Sequence, residues 1–175
     1  MSLAIVSDSQ VSSAEIAEQL EHYYKDPVAF CRTMLPHWFS KPMPWVHRGI
    51  MAIRLRRADF LLNFGEERWE EGIGRWTKKS LAKLVRCFQA PIDPADPASP
   101  LEPIFRLTYA EDGRTPIKIT MKLGQHVLLV LPRGFSKTTI MNACELIDIL
   151  YLDGKFDIYV SDTGTQAELQ VDAIR

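Results

Sequence analysis

The feature that most constrains the fold is an apolar run that passes directly into a short basic loop. Residues 126–140 read HVLLVLPRGFSKTTI, and the residues that follow, as far as Leu152, have helical character. A strand, a tight loop and a helix in this order are typical of a phosphate-binding loop. The amides at a helix N-terminus are unpaired, and the helix dipole makes the potential there positive. The stretch therefore predicts an anion site at the start of a helix.

Two side chains fit the chemistry of a nucleotide site, although the loop departs from the usual pattern G-x-x-x-x-G-K-[ST]. Lys137 would place a charge at the terminal phosphates, and the Thr138 hydroxyl could ligate Mg²⁺. Leu131 replaces the first glycine and Ser136 replaces the second. Ser136 must then adopt a backbone conformation that glycine takes more easily. The alternative is a buried strand and a basic turn before a core helix.

The motif PRGFSKTT resembles the variant Walker A loop of the large terminase subunits of tailed bacteriophages. In those loops the first glycine is often missing, the second can be Ser, and an Arg stands four residues before the Lys, as Arg133 does here. Residues 26–36, DPVAFCRTMLP, resemble the opening of many such subunits. Residues 161–168, SDTGTQAE, resemble the segment after their second core strand.

The resemblance implies an α/β fold, namely a P-loop NTPase (RecA-like) parallel sheet that is incomplete here and follows a helical N-terminal region. It implies ATP and Mg²⁺ as cofactors, catalytic roles for Arg133 and Lys137, and Thr138 as the metal ligand. The implied nucleotide contacts are Arg133, Gly134, Phe135, Ser136, Lys137, Thr138 and Thr139. Strand–helix–strand–helix order also predicts parallel strands with Lys137 and Asp162 at their carboxyl ends.

The function implied by the resemblance is ATP-driven translocation of double-stranded DNA into a procapsid in the host cytoplasm. The implied partners are DNA, a terminase small subunit and a portal protein, with a possible homo-oligomer and no membrane. Two alternatives stay open: another P-loop enzyme, such as a helicase-like translocase or a kinase, or a non-catalytic truncated remnant that binds DNA or a partner protein.

The acidic pair that such an ATPase needs is not evident in the sequence. Asp153 and Asp162 each end an apolar stretch, but neither is followed by Glu. Without a carboxylate to orient water, phosphoryl transfer is slow. We therefore expect only the first part of an ATPase domain, which binds ATP but hydrolyses it negligibly.

The positions of the prolines and glycines along the chain predict three regions. Residues 1–89 form a helical N-terminal region with an insertion at 65–89, residues 90–103 form a proline-rich, stiff and extended linker, and residues 104–175 begin the ATPase core. Helices are expected from the capping box at Ser12, from Asp26-Pro27, over 45–62, and in two pieces of 65–89 separated by Gly72 and Gly74. A β-hairpin is expected over 104–121, with Asp112-Gly113 in its turn.

The net charge of −1 means that any DNA contact must come from a local patch. The arginines of the 45–62 segment could face phosphates, although such a run more often forms a solvated face; they are Arg48, Arg54, Arg56 and Arg57. His47 either lies on the adenine side of a nucleotide, as the resemblance implies, or is a half-buried residue at a helix start. Widely spaced Cys31, Cys87 and Cys144 predict reduced core thiols.

Overall fold

The computed structural model describes residues 12–69, 72–122 and 136–151. These residues form five α-helices and one 3₁₀ helix, Asp59–Leu62. The α-helices are α1 Ser13–Lys25, α2 Pro27–Met34, α3 Trp45–Arg54, α4 Lys78–Cys87 and α5 Lys137–Tyr151. None of the helices in these ranges has the length and apolar character that crossing a lipid bilayer requires.

The described strands form three separate two-stranded sheets, all antiparallel. They are β1 Gly65–Trp69 with β2 Gly72–Trp76, β3 Gln89–Pro91 with β4 Leu101–Pro103, and β5 Phe105–Tyr109 with β6 Pro116–Met121. The predicted mixture of helix and strand is confirmed. The strands predicted to build a parallel sheet, within 127–131 and 156–160, lie outside the described residues, and the P-loop sheet stays a prediction.

The starts of α1 and α2 follow the predicted capping residues. The Ser12 hydroxyl accepts a hydrogen bond from the Glu15 amide at 3.2 Å, and the Glu15 carboxylate accepts one from the Ser12 amide at 2.8 Å. Asp26 caps α2 by accepting from the amides of Val28 and Ala29 at 3.1 and 3.0 Å. Both helix starts are therefore confirmed, and both arise from local chemistry.

The helix predicted over 45–62 ends early, at Arg54. The Arg56 amide donates to the Ile53 carbonyl at 3.2 Å, and the Arg57 amide donates to the Ala52 carbonyl at 3.0 Å. This pair of bonds is a Schellman motif, with Arg56 at φ 52° in the left-handed position that glycine usually occupies. The turn directs the 3₁₀ helix Asp59–Leu62 onto β6, with Phe60 and Leu61 buried.

The first of the two helical pieces predicted within 65–89 is not a helix, because residues 65–69 and 72–76 pair as strands β1 and β2 instead. Gly72 and Gly74 weaken a helix, and Trp76 has a tertiary partner that favours the strand. Its indole is buried, and Nε1 donates to the Leu61 carbonyl at 2.8 Å. The second piece is confirmed as α4, which begins at the Thr77 cap and buries Leu81 and Leu84.

The proline-rich stretch was predicted to be an extended connector, but in the structure it reverses direction. Its two ends pair as β3 and β4, and the exposed residues between them turn through bonds such as Asp93 amide to Ser99 hydroxyl at 2.8 Å. Side chains from both sides of this stretch belong to one hydrophobic core; examples are Phe30, Ile50, Leu84, Phe105 and Ile147. The division of the chain into separate regions at 90–103 stays a prediction.

The predicted hairpin over 104–121 is confirmed as β5–β6. Its turn contains Asp112 and Gly113, and Gly113 has φ 62°, which glycine adopts without a Cβ clash. The Gly113 amide donates to the Ala110 carbonyl at 2.9 Å and closes the turn. The hairpin places Phe105 and Ile119 in the core.

Gly49 lets α3 and the end of α4 approach closely. A Cβ at position 49 would lie 2.4 Å from Cε2 of Phe88. The Phe88 ring cannot easily move aside, because it meets Trp45 and Phe105 edge-on at centroid distances of 6.2 and 5.8 Å. A side chain at position 49 would therefore require the Phe88 ring to shift against its two aromatic partners.

The three thiols divide into two environments. Cys31 and Cys144 are buried, as predicted, and burial raises the pKa of both thiols, that of Cys144 to about 12. Cys87, at the end of α4, is exposed, so its assignment to the core was wrong. Cys87 is the last residue of α4, and it is not one of the residues that form the apolar face of that helix, namely Leu81, Leu84, Val85 and Phe88.

Candidate phosphate-binding site

The described part of the predicted loop is the start of α5. The Ile140 amide donates to the Ser136 carbonyl at 3.1 Å, so Ser136 is the residue that begins the helical hydrogen bonding. Lys137 follows as the first residue of α5. Ser136 and Thr138 are exposed, while Lys137 and Thr139 are half-buried. Arg133, Gly134 and Phe135 lie outside the described residues.

Ser136 has φ 48°, in the left-handed region. The difficult backbone conformation predicted for this serine is therefore present, at a price of roughly 1 kcal/mol relative to an ordinary helical conformation. A left-handed residue followed directly by right-handed helical residues turns successive N–H groups toward the same side. Together with the first-turn amides of α5, this geometry favours an anion.

The helix behind this first turn is fixed by its buried face. Ile140, Ala143 and Cys144 have no exposed surface, and Ile147 is 1% exposed. The core contact begins within one turn of Lys137, so the first-turn amides are held by packing. The predicted burial of this helix is confirmed on that face, whereas Ile149 and Leu150 are exposed at its end.

A second face of α5 carries two buried carboxylates. Arg54, the last residue of α3, donates from Nη2 to Glu145 at 2.8 Å and from Nη1 to Asp148 at 2.5 Å. Both carboxylate side chains are only 8% exposed, and Arg54 is 21% exposed. Sequence reasoning missed this cluster, although acids at i and i+3 in an otherwise apolar helix were a signal for it.

The four arginines of the 45–62 segment that were considered for DNA contact are used largely within the fold. The Arg48 guanidinium is buried 4.7 Å from the Trp76 ring centroid, and burial lowers its pKa to about 10. Arg57 lies 3.8 Å from the Tyr24 ring centroid and donates to the Tyr24 carbonyl. With Arg54 paired to α5, a solvated or DNA-facing role was wrong for these three, and only Arg56 is exposed.

Three further residues were considered for the nucleotide site, namely His47, Asp153 and Asp162. His47 lies half-buried in the first turn of α3, as its simpler interpretation predicted. Asp153 and Asp162 lie outside the described residues. Across residues 12–69, 72–122 and 136–151, no group of three or more His, Cys, Asp or Glu side chains could hold a metal ion.

The Thr138 hydroxyl fits Mg²⁺ of the kind that accompanies a nucleotide. It is exposed in the first turn of α5, one residue after Lys137. Mg²⁺ in such sites keeps several waters and takes one or two protein oxygens plus phosphate oxygens, so a full protein cage is not needed. Thr138 can supply one of these oxygens.

Comparisons with protein-family models, with curated proteins and with solved structures give no match. The described geometry defines a left-handed serine, a lysine and a threonine at the start of a helix that is anchored in the core. Any family assignment therefore depends on the sequence motifs themselves.

Proposed function

We propose that this chain binds ATP with Mg²⁺ at the start of α5, as the ATP-binding part of a DNA-packaging motor of the terminase large-subunit type. One observation carries the proposal: Ser136 adopts the left-handed conformation directly before Lys137 and Thr138 at the N-terminus of a core helix. A buried strand with a basic turn does not require that conformation. A phosphate loop in which serine replaces glycine does.

The proposal gives each loop residue a role. Lys137 contacts the β and γ phosphates, and Thr138 ligates Mg²⁺, which shields phosphate charge when it is bound. The backbone amides from Gly134 to Thr138 surround the phosphates, and Thr139 adds a contact. Arg133 acts on the γ phosphate, within its own chain or toward a neighbouring subunit.

In the motor, ATP hydrolysis drives translocation of double-stranded DNA into a procapsid. A small subunit, a portal protein and further copies of the chain are the partners that belong to this proposal, and the host cytoplasm is its setting. Their support is the resemblance of three motifs, at 26–36, 132–139 and 161–168.

The test is binding of a fluorescent ATP analogue to the wild-type chain and to Lys137→Ala. We expect the variant to lose most affinity, on the order of a hundredfold, because a charge on the terminal phosphates is removed. Lys118→Ala is the matched control, since Lys118 is an exposed cation on β6. Thr138→Ala should reduce mainly the gain in affinity that Mg²⁺ gives.

Equal affinity in the wild type and Lys137→Ala, with both folded by circular dichroism, would exclude the phosphate loop. A loss shared by Lys118→Ala would indicate a general charge effect and would also count against it.

Phosphate release from the same chain addresses turnover. We expect negligible hydrolysis, because losing the water-orienting carboxylate and the second metal ligand lowers the rate by on the order of a thousandfold or more. Robust release that Lys137→Ala abolishes would show that Asp153 or Asp162 serves as the catalytic acid.

A further inference from the structure

A row of cations on α4 borders an open groove beside Trp45. Lys79, Lys83 and Arg86 follow one another at i, i+4 and i+7, so they share one face of the helix. The opposite face carries the buried Leu81 and Leu84. The groove has a volume of about 670 Å³, and its lining is Trp45, Lys79, Ser80, Ala82, Lys83 and Arg86.

The row has no compensating charge within the fold as described. All three side chains are exposed, and none forms an ion pair with another described residue. The α4 sequence, KKSLAKLVRC, contains no acid. Like charges at i and i+4 oppose helix formation, so an anionic partner would relieve a repulsion that the folded chain carries.

Trp45 fixes one wall of the groove. Its ring meets Phe88 edge-on, which ties it to the core. The Lys83 ammonium lies 5.0 Å from the Trp45 ring centroid, and a cation–π contact at this distance restrains the side chain. Lys83 is thus partly positioned before any ligand binds.

The arrangement of the charges selects the shape of the ligand. The seven residue-to-residue steps from Lys79 to Arg86 advance about 10 Å along the helix axis. One strand of a duplex places a phosphate every ~3.4 Å along its axis, so about three phosphates match this length. Cations in a row suit such a repeating polyanion, whereas a single phosphate is held by groups that converge on it.

We propose that this groove binds the phosphodiester backbone of a nucleic acid. The site is separate from the start of α5, and it belongs to the segment 65–89 that the terminase resemblance does not cover. This groove replaces the arginines of the 45–62 segment as the candidate DNA contact, because Arg48, Arg54 and Arg57 are engaged inside the fold. The inference does not depend on nucleotide binding.

The test compares two triple variants of equal net charge. Lys79→Gln/Lys83→Gln/Arg86→Gln removes the row, and Lys25→Gln/Arg114→Gln/Lys118→Gln removes three exposed cations elsewhere. The probes are fluorescein-labelled single-stranded and duplex DNA of about twenty nucleotides or base pairs, titrated by anisotropy at several salt concentrations. Poly-glutamate is the third probe, since it carries negative charge without phosphate.

We expect the row variant to lose at least about tenfold in DNA affinity, while the control variant changes little. The magnitude of the slope of log K against log salt should fall by about 2.7 with the duplex probe and by about 2.1 with the single-stranded probe, because three phosphate contacts are lost. The probe that the wild type binds more tightly identifies the form of nucleic acid. Single-site Lys83→Gln gives a smaller loss in the same direction and serves if the triple variant does not fold.

Three results would overturn the inference. They are no DNA binding by the wild type at low salt, equal loss in both triple variants, or poly-glutamate binding that depends on the row while DNA binding does not. The nucleotide site is judged separately, because Lys137→Ala should keep full DNA affinity and the row variant should keep affinity for the ATP analogue.

Discussion

Asp112 organises the turn between β5 and β6 with both of its carboxylate oxygens. Oδ1 accepts from the amides of Arg114 and Thr115, each at 2.8 Å, and Oδ2 accepts from the Thr115 hydroxyl at 2.6 Å. These bonds, that of the Thr115 hydroxyl first, lower the pKa of Asp112 to about 2. The ionised form of the side chain is therefore the one that the folded turn requires.

The sign of the pH effect follows from that shift. The pKa is lower in the folded chain than the ordinary value of about 3.9, so the stabilisation is complete above pH 4 and is lost as pH falls toward 2. We expect Asp112→Ala to be less stable than the wild type at neutral pH, with a gap that narrows over this range. Urea unfolding at several pH values measures it.

Asp112→Asn is the control, since it removes the charge and the titration, keeps one acceptor oxygen, and replaces the other oxygen by an amide nitrogen. A gap between wild type and Asp112→Ala that stays constant from pH 5 to pH 2 would contradict the assignment, as would an ordinary pKa in a carboxyl NMR titration.

Two non-glycine residues with left-handed backbone show how far single residues can be predicted. Ser136 was predictable because the loop pattern places glycine there. The left-handed conformation of Arg56 was not predictable, because glycine usually occupies this position of a Schellman motif and the neighbouring residues give no signal for the motif. Its conformation is set by the core, which takes Phe60 and Leu61 from the following 3₁₀ helix.

Among the elements, α3 and α5 are joined by a charged contact as well as by apolar packing. Arg54 ends α3 and bridges Glu145 and Asp148, which lie on successive turns of α5. The helix that begins at the proposed phosphate site is thereby tied to the N-terminal part of the chain. Removing one partner leaves charges in a largely water-free place.

We expect Arg54→Ala to lower the free energy of unfolding by about 3 kcal/mol, because it removes the Arg54 cation from two buried carboxylates. Arg106→Ala is the matched control: it also removes an Arg–Glu pair, but the Arg106 side chain is 62% exposed, so the change should be much smaller than that of Arg54→Ala. Urea unfolding measures both.

Similar changes in the two variants would show that the α3–α5 pair contributes no more than a surface ion pair. A fully apolar replacement, Arg54→Met with Glu145→Leu and Asp148→Leu, should regain most of the loss.

The helices and strands that were predicted correctly have local sequence signals, whereas those that differ from the prediction depend on tertiary contacts. The caps at Ser12 and Asp26 and the Asp112-Gly113 turn are encoded within a few residues, so α1, α2 and the β5–β6 hairpin could be predicted. The β1–β2 hairpin depends on the hydrogen bond from Trp76 to the Leu61 carbonyl, and this bond cannot be predicted from the sequence of the hairpin alone.

For the molecule as a whole, residues before and after the proline-rich stretch pack into one core. Residues 92–98 between β3 and β4 are exposed, and prolines limit their backbone. The stretch is thus an exposed loop that connects two parts of one core.

We expect limited proteolysis with a broad-specificity protease to cut within 92–100 before it cuts the core. Because the core joins both sides, the two fragments should stay together in native size-exclusion chromatography and separate in denaturant. Cleavage near 17–20 in α1 serves as the internal comparison, since α1 has no buried residue.

Fragments that separate at once under native conditions would support the linker between independent regions that composition suggests. Complete resistance at 92–100 would show that the loop is packed.

The candidate site was predictable to the extent that it is local. Ser136, Lys137 and Thr138 follow one another in sequence and therefore lie together at the start of α5. The cation groove was not predicted as a site, because Lys83 and Trp45 meet only after α3 and α4 pack. The packing of α3 against α4 cannot be predicted from the sequence of either helix alone.

The contact between Gly49 and Phe88 limits which substitutions can be accepted at these two positions during evolution. Any mutation of Gly49 alone adds a carbon where the Phe88 ring already lies, so selection for a folded chain would remove it. A larger residue could enter only in a lineage that had first exchanged Phe88 for a smaller one. Positions 49 and 88 should therefore change together among descendants of this gene, in that order, while the two sites remain far apart in sequence.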